Sequence, residues 1–111
     1  MKRDYKLFLN DMKECISAIE EYTKGLSEEG FLRDKKVQDA VIRRIEIIGE
    51  ATKNIPMSLK EKNKQVPWFK ISEFRNLITH FYYQTSLNRI WKAVKEDIPT
   101  IKEALSKIVL V

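Results

Sequence analysis

The sequence predicts an all-α chain, an up-down four-helix bundle with a short additional helix. Three observations predict it. Apolar residues recur every three or four positions through each long segment. Isoleucine, leucine, glutamate, lysine and alanine fill those segments. Only three glycines and three prolines punctuate 111 residues, too few for a hairpin-rich fold. Residues 1–111 are expected to form one domain, small enough for its core to gain from association.

The first helix is expected over about 3–24. Tyr5, Phe8, Met12, Ile16, Ile19 and Tyr22 make its apolar face, widened by Leu9 and Cys15. Gly25 is the expected stop, and 25–34 (GLSEEGFLRD) a connector whose Phe31 and Leu32 tuck against the core. The second helix runs from about 34 to 55. Asp34 caps its start, and Val37, Val41, Ile45, Ile48 and Ile55 form its stripe. Gly49 interrupts that strong helix at a cost of about 1 kcal/mol against alanine. Close approach of another backbone is the expected reason. Pro56 ends the helix, and Ser58 with Glu61 reads as a capping box for a short helix through about 63. After the QVPW turn at 65–68 a helix is expected over about 68–82, with Trp68 anchored in the core. A break at 84–86 follows, with Thr85 or Ser86 capping a last helix to about 109. Pro99 lies inside that helix, so a kink or two abutting helices are expected, with Asp97 a possible cap for the second half.

Charge narrows the partners. Residues 1–55 hold eleven basic and eleven acidic side chains, whereas 56–111 hold ten basic and five acidic. The net +5 therefore lies in the second half, which favours a polyanion. No zinc-finger pattern or recognition helix for duplex DNA is present. One histidine and one cysteine rule out an intrachain disulfide and argue against a structural zinc site, so no metal and no cofactor are expected. Cys15 reads as a buried, inert thiol. No apolar run approaches a membrane span, and the opening MKRDYKLFLND has no signal-peptide pattern, so a cytoplasmic protein is expected.

The chemistry concentrates in 71–83, ISEFRNLITHFYY, which holds the single histidine, His80. On a helix Arg75, Thr79 and Tyr82 share one face, and Asn76, His80 and Tyr83 share the next. Arg75 and His80 stand about 140° apart, so both border one cleft only if His80 lies at an end or bend, or if another surface completes the cleft. Arginine suits phosphate, and histidine moves protons near neutral pH. Cutting RNA through its own 2′-hydroxyl needs a base and an acid. A two-fold homodimer supplies two histidines at one seam, and tyrosine or lysine is the alternative second group. Arg43, Arg44, Glu46 and Glu50 form a polar ridge on the second helix, open to solvent, to an internal salt network or to a partner.

These residues resemble the HEPN superfamily, specifically HepT-like ribonuclease toxins. The likeness runs through AVIRRIEIIGEA at 40–51, Pro67–Trp68, RNLITHFYY at 75–83, Trp91 and Asp97–Ile98–Pro99. The family signature, arginine, four residues, histidine, any residue, tyrosine, falls on Arg75, His80 and Tyr82. The resemblance implies a HEPN-like bundle and a metal-independent endoribonuclease acting on tRNA or mRNA as a homodimer. It implies Arg75 and His80 as catalytic residues, and Asn76, Thr79, Tyr82 and Tyr83 as RNA-binding or cleft residues. Arg43, Glu46 and Glu50 are carried as cleft or partner contacts. It also implies a MntA-like nucleotidyltransferase antitoxin that adenylylates Tyr82. Many relatives carry glycine where Phe81 stands here. The competing reading is a non-catalytic module that binds nucleotide or partner beside such a transferase. A purely structural helical dimer is the third.

Overall fold

A computed structural model describes residues 3–81 and 83–110 of the chain. Every regular element among them is helical. Helix α1 (Tyr5–Thr23) starts where the Asp4 carboxylate accepts the Lys6 N–H at 2.9 Å. Gly25 then turns the chain with φ +77°, a conformation that side chains resist. The expected connector instead contains a short helix, α2 (Glu28–Arg33). The Ser27 hydroxyl accepts the Gly30 N–H at 3.0 Å, and Glu28 and Glu29 face the helix N-terminus. This turn buries Phe31 completely, its ring 5.1 Å from that of Trp91, while Leu32 stays exposed rather than tucking in.

Helix α3 (Lys35–Thr52) begins as expected, with Asp34 accepting the Val37 N–H at 3.1 Å. It is the hub, packing against α1, α2, α5 and α6. Its Val41, Ile45 and Ile48 are fully buried among Met12, Ile16 and Ile19 of α1 in one core. Helix α4 (Met57–Lys62) corrects the capping-box reading. Pro56 is its first flanking residue and supplies no side-chain bond, so Ser58 already lies inside the helix, past the capping position.

The region predicted as one helix over 68–82 is divided into α5 (Trp68–Ser72) and α6 (Phe74–Thr79). The Ser72 hydroxyl donates to the Phe69 carbonyl at 2.7 Å, competing for the acceptor that the Glu73 N–H uses at 3.0 Å. Glu73 keeps helical dihedral angles, and the Leu77 N–H reaches back to it, so α6 continues α5 after one residue of interruption. Trp68 is half-buried, its indole N–H donating to the Asn63 carbonyl at 3.0 Å.

Helix α7 (Tyr83–Lys92) starts before Thr85 and Ser86, so neither is its cap, and Ser86 is buried within it. The last segment is divided at Pro99, as one of the two expected arrangements has it: a π-helical stretch, Ala93–Asp97, follows α7, and a new helix, α8 (Ile98–Ser106), carries the proline in its first turn. The Ile98 N–H donates five residues back to Ala93, a wider turn that takes up the register a proline disturbs. Asp97 corrects a second capping expectation. It makes no cap bond, lies 5% exposed, and holds Lys70 at 3.0 Å and Arg89 at 3.7 Å.

Asn63, 1% exposed, ties the chain's two ends of this region together. Its amide donates to the carbonyls of Leu59 and Val109, both at 2.9 Å, and its side-chain oxygen accepts the Val109 N–H at 2.7 Å. Asn63→Asp keeps the shape but points an acid at two carbonyls. We expect a loss of about 2–4 kcal/mol, read as a lower urea midpoint with unchanged slope.

Candidate functional site

The end of α6 sets the site. The helix closes when the His80 N–H donates to Asn76 and the Phe81 N–H to Ile78. His80 has left helical geometry (φ −102°, ψ 27°), and its side chain is exposed. Of the two arrangements under which Arg75 and His80 could border one cleft, a helix end or a second surface, His80 meets the condition of the first, standing at the end of α6. Ile78, Thr79, His80 and Phe81 are weak helix formers, which favours the stop here rather than at 82. Thr79 is exposed in the last turn, and Phe81 is half-buried against the core.

Arg75 is placed by helix α3. An ideal Cβ on Gly49 would lie 3.1 Å from Arg75 Cγ, 3.3 Å from its backbone nitrogen and 3.3 Å from Phe74 Cβ. The close approach expected at Gly49 is therefore that of α6 itself, with Phe74 fully sunk in the core and Arg75 beside it. Arg75 Nε donates to Glu50 Oε1 at 3.0 Å. Both side chains are half-exposed, so solvent screens the pair, and its worth lies in orientation more than stability. Holding a guanidinium at Nε leaves its two terminal nitrogens to present paired donors.

The other expected residues fall on both sides of this pair. Asn76 donates to Glu73 at 2.8 Å on the exposed face. Glu46 turns to Arg43, at 2.9 Å, rather than to Arg75, so the two glutamates of α3 part company. Arg43 and Glu50 do share a small groove with Phe8, Asp11 and Asn54 at the α1–α3 edge, of about 170 Å³. No hydrogen bond joins Arg75 to His80 among the described residues. Tyr82 and the Tyr83 side chain lie outside them. Among the described residues no three acids, histidines or cysteines converge, and no helix is long and apolar enough to cross a membrane. Cys15 is buried, and burial pushes its thiol pKa up despite the Arg44 guanidinium 3.8 Å away, which keeps it inert.

Asp97 stands at the flanking position expected of it before α8, but its buried carboxylate serves ion pairs instead of a cap bond. A signal existed: it falls in register with Ile90, Val94 and Ile101, so an acid sat on the buried stripe. Its ion pairs fasten α5 to α7, the two helices that flank α6 in the chain.

An all-α bundle that offers an exposed imidazole at a helix end, five residues after an arginine braced by glutamate, defines a class of candidate phosphodiester-handling proteins. The chain belongs to the HepT-like ribonuclease family, whose model matches residues 12–108. It is 45% identical over 108 residues to a "Probable ribonuclease HepT" of Thermococcus cleftensis, covering 97% of this chain and 98% of that protein. It is 48% identical over 108 residues to a "Gamma-glutamylcyclotransferase and putative RNase" of Methanocaldococcus jannaschii. There it covers 97% of this chain but spans only 49% of the relative. No solved structure matches the chain.

Proposed function

We propose that the chain is a metal-independent endoribonuclease that works in the cytoplasm as a homodimer and cuts tRNA or mRNA. The observation that carries this reading is the exposed His80 at the end of α6, with Arg75 five residues earlier held at Nε by Glu50, in a HepT-like ribonuclease chain. One imidazole takes the proton of the 2′-hydroxyl as its oxygen attacks phosphorus. The P–O5′ bond breaks, and an acid returns a proton to the leaving 5′-oxygen. The products are a 2′,3′-cyclic phosphate and a free 5′-hydroxyl. Arg75 steadies the charge on the five-coordinate phosphorus. A dimer with a shared cleft brings a second His80 for the second proton transfer.

Tyr82 is the residue a cognate MntA-like nucleotidyltransferase modifies with AMP. Each adenylate adds negative charge and bulk two residues from His80, which repels and occludes RNA. Purified wild-type protein should cut total RNA in the presence of EDTA and leave cyclic phosphate ends. Co-expression with the transferase should add adenylate mass to Tyr82 and silence the cutting. Intact RNA under all these conditions defeats the reading.

A further inference from the structure

A groove of about 350 Å³ lies between α4 and α5, away from Arg75. Met57 (66% exposed), the half-buried Trp68 and Phe69 supply its apolar surface. Phe69 is 77% exposed, the most exposed large apolar side chain among the described residues. Lys60 and Lys64 stand on its rim with one acid, Glu61. No ion pair ties either lysine to a carboxylate among the described residues. The Lys60 ammonium lies 5.9 Å from the centre of the Trp68 ring, and burial lowers its pKa. It is a cation partly stripped of water and held in no ion pair among the described residues, so a phosphate there would be well received.

Position links this groove to the site. Counting 100° per residue through Glu73, Phe69, Glu73, Asn76 and His80 lie along one stripe of α5–α6, and all four are exposed. Phe69 and His80 are eleven residues apart, about 16 Å along a helix axis. At about 3.4 Å per stacked nucleotide that is roughly five nucleotides, fewer if the strand is extended.

We propose that Phe69 stacks on a base of single-stranded RNA, a few nucleotides from the phosphate at His80, while Lys60 and Lys64 hold the backbone beside it. An aromatic face bordered by lysines is the pattern that grips single strands without reading sequence. A second copy of this chain fits less well. Lysine is depleted at the centres of protein seams, and burying Lys60 and Lys64 in one would desolvate two cations that have no carboxylate partner among the described residues. The assignment rests on the ribonuclease reading above and adds to it where the strand runs.

The test uses the full chain and a non-cleavable 2′-O-methyl RNA of about twelve nucleotides, followed by fluorescence anisotropy. Phe69→Ala should weaken binding about tenfold and Phe69→Trp should restore it, because the loss is of a stacking face. Replacing Lys60 and Lys64 together by glutamine should lower the slope of log affinity against log salt by about 1.4. Unchanged twelve-mer affinity in Phe69→Ala overturns the proposal, as does no binding by the wild type. A change of light-scattering mass in Phe69→Ala also overturns it, since the groove then belongs to a protein seam. Phe69-dependent binding by a wild type that cuts no RNA would sink the nuclease reading and leave this site standing.

Discussion

His80→Ala should abolish RNA cutting, with kcat lower by about 10²–10⁴. The folded state should be untouched, because the side chain is exposed and only the backbone closes α6. The histidine is also irreplaceable within the chain, since it is the single one. If two copies provide base and acid, a dimer of one wild-type and one His80→Ala subunit should lose most activity as well. Full activity in that mixed dimer would instead assign the second proton transfer to tyrosine or lysine. Arg75→Ala should cost about 10²–10³ in kcat, the range for removing a donor to transition-state charge. Arg75→Lys should rescue little, because an ammonium cannot bond Glu50 through one nitrogen and offer a forked pair to phosphate through others. Single-turnover cleavage of a defined RNA, beside urea unfolding of each variant, separates lost chemistry from lost fold. Undiminished cutting by His80→Ala sinks the assignment.

The elements the sequence foretold best are those decided by local chemistry. Helices α1 and α3 follow from three-and-four spacing, the Asp34 cap and the turn at Gly25. Those the reading missed are decided by competition or by partners far along the chain. Helix α2 is under two turns long, and burying Phe31 against Trp91, sixty residues on, stabilises it. At the interruption at Glu73 the Phe69 carbonyl is shared between the Ser72 hydroxyl and the Glu73 N–H. Ser58 looked like a cap because it stands three residues before Glu61, but Pro56 had already started the helix. Asp97 had two charged partners, Arg89 on α7 and Lys70 on α5, and the nearer approach is to Lys70, which no window of neighbouring residues contains. The site shows the same divide. The candidates Arg75 and His80, and a helix end as one way for them to share a cleft, were legible in one segment. The choice of Glu50 over Glu46 as the brace for Arg75 was not, because it depends on how α3 and α6 are rotated against each other.

That rotation gives the second large expectation, at Gly49. Replacing this glycine tests whether Arg75 works only from its present seat. In an isolated helix Gly49→Ala would gain about 1 kcal/mol. Here the new methyl meets the Arg75 backbone nitrogen and Phe74 Cβ at 3.3 Å and Arg75 Cγ at 3.1 Å. The arginine side chain can yield, but the backbone and the buried Phe74 cannot without moving α6. We therefore expect the propensity gain to be largely cancelled, while activity falls about tenfold as the guanidinium shifts. Gly49→Val adds two more carbons at the same contact. Overpacking of that kind costs about 1–3 kcal/mol, and a displacement near 1 Å at a reacting group costs about 10²-fold in rate. The variant should thus be both less stable and about a hundredfold slower. Denaturant midpoints and kcat/KM for both variants measure the two effects separately. A fully active Gly49→Val of native stability would mean that α6 slides freely on α3, and that Gly49 has no part in placing Arg75.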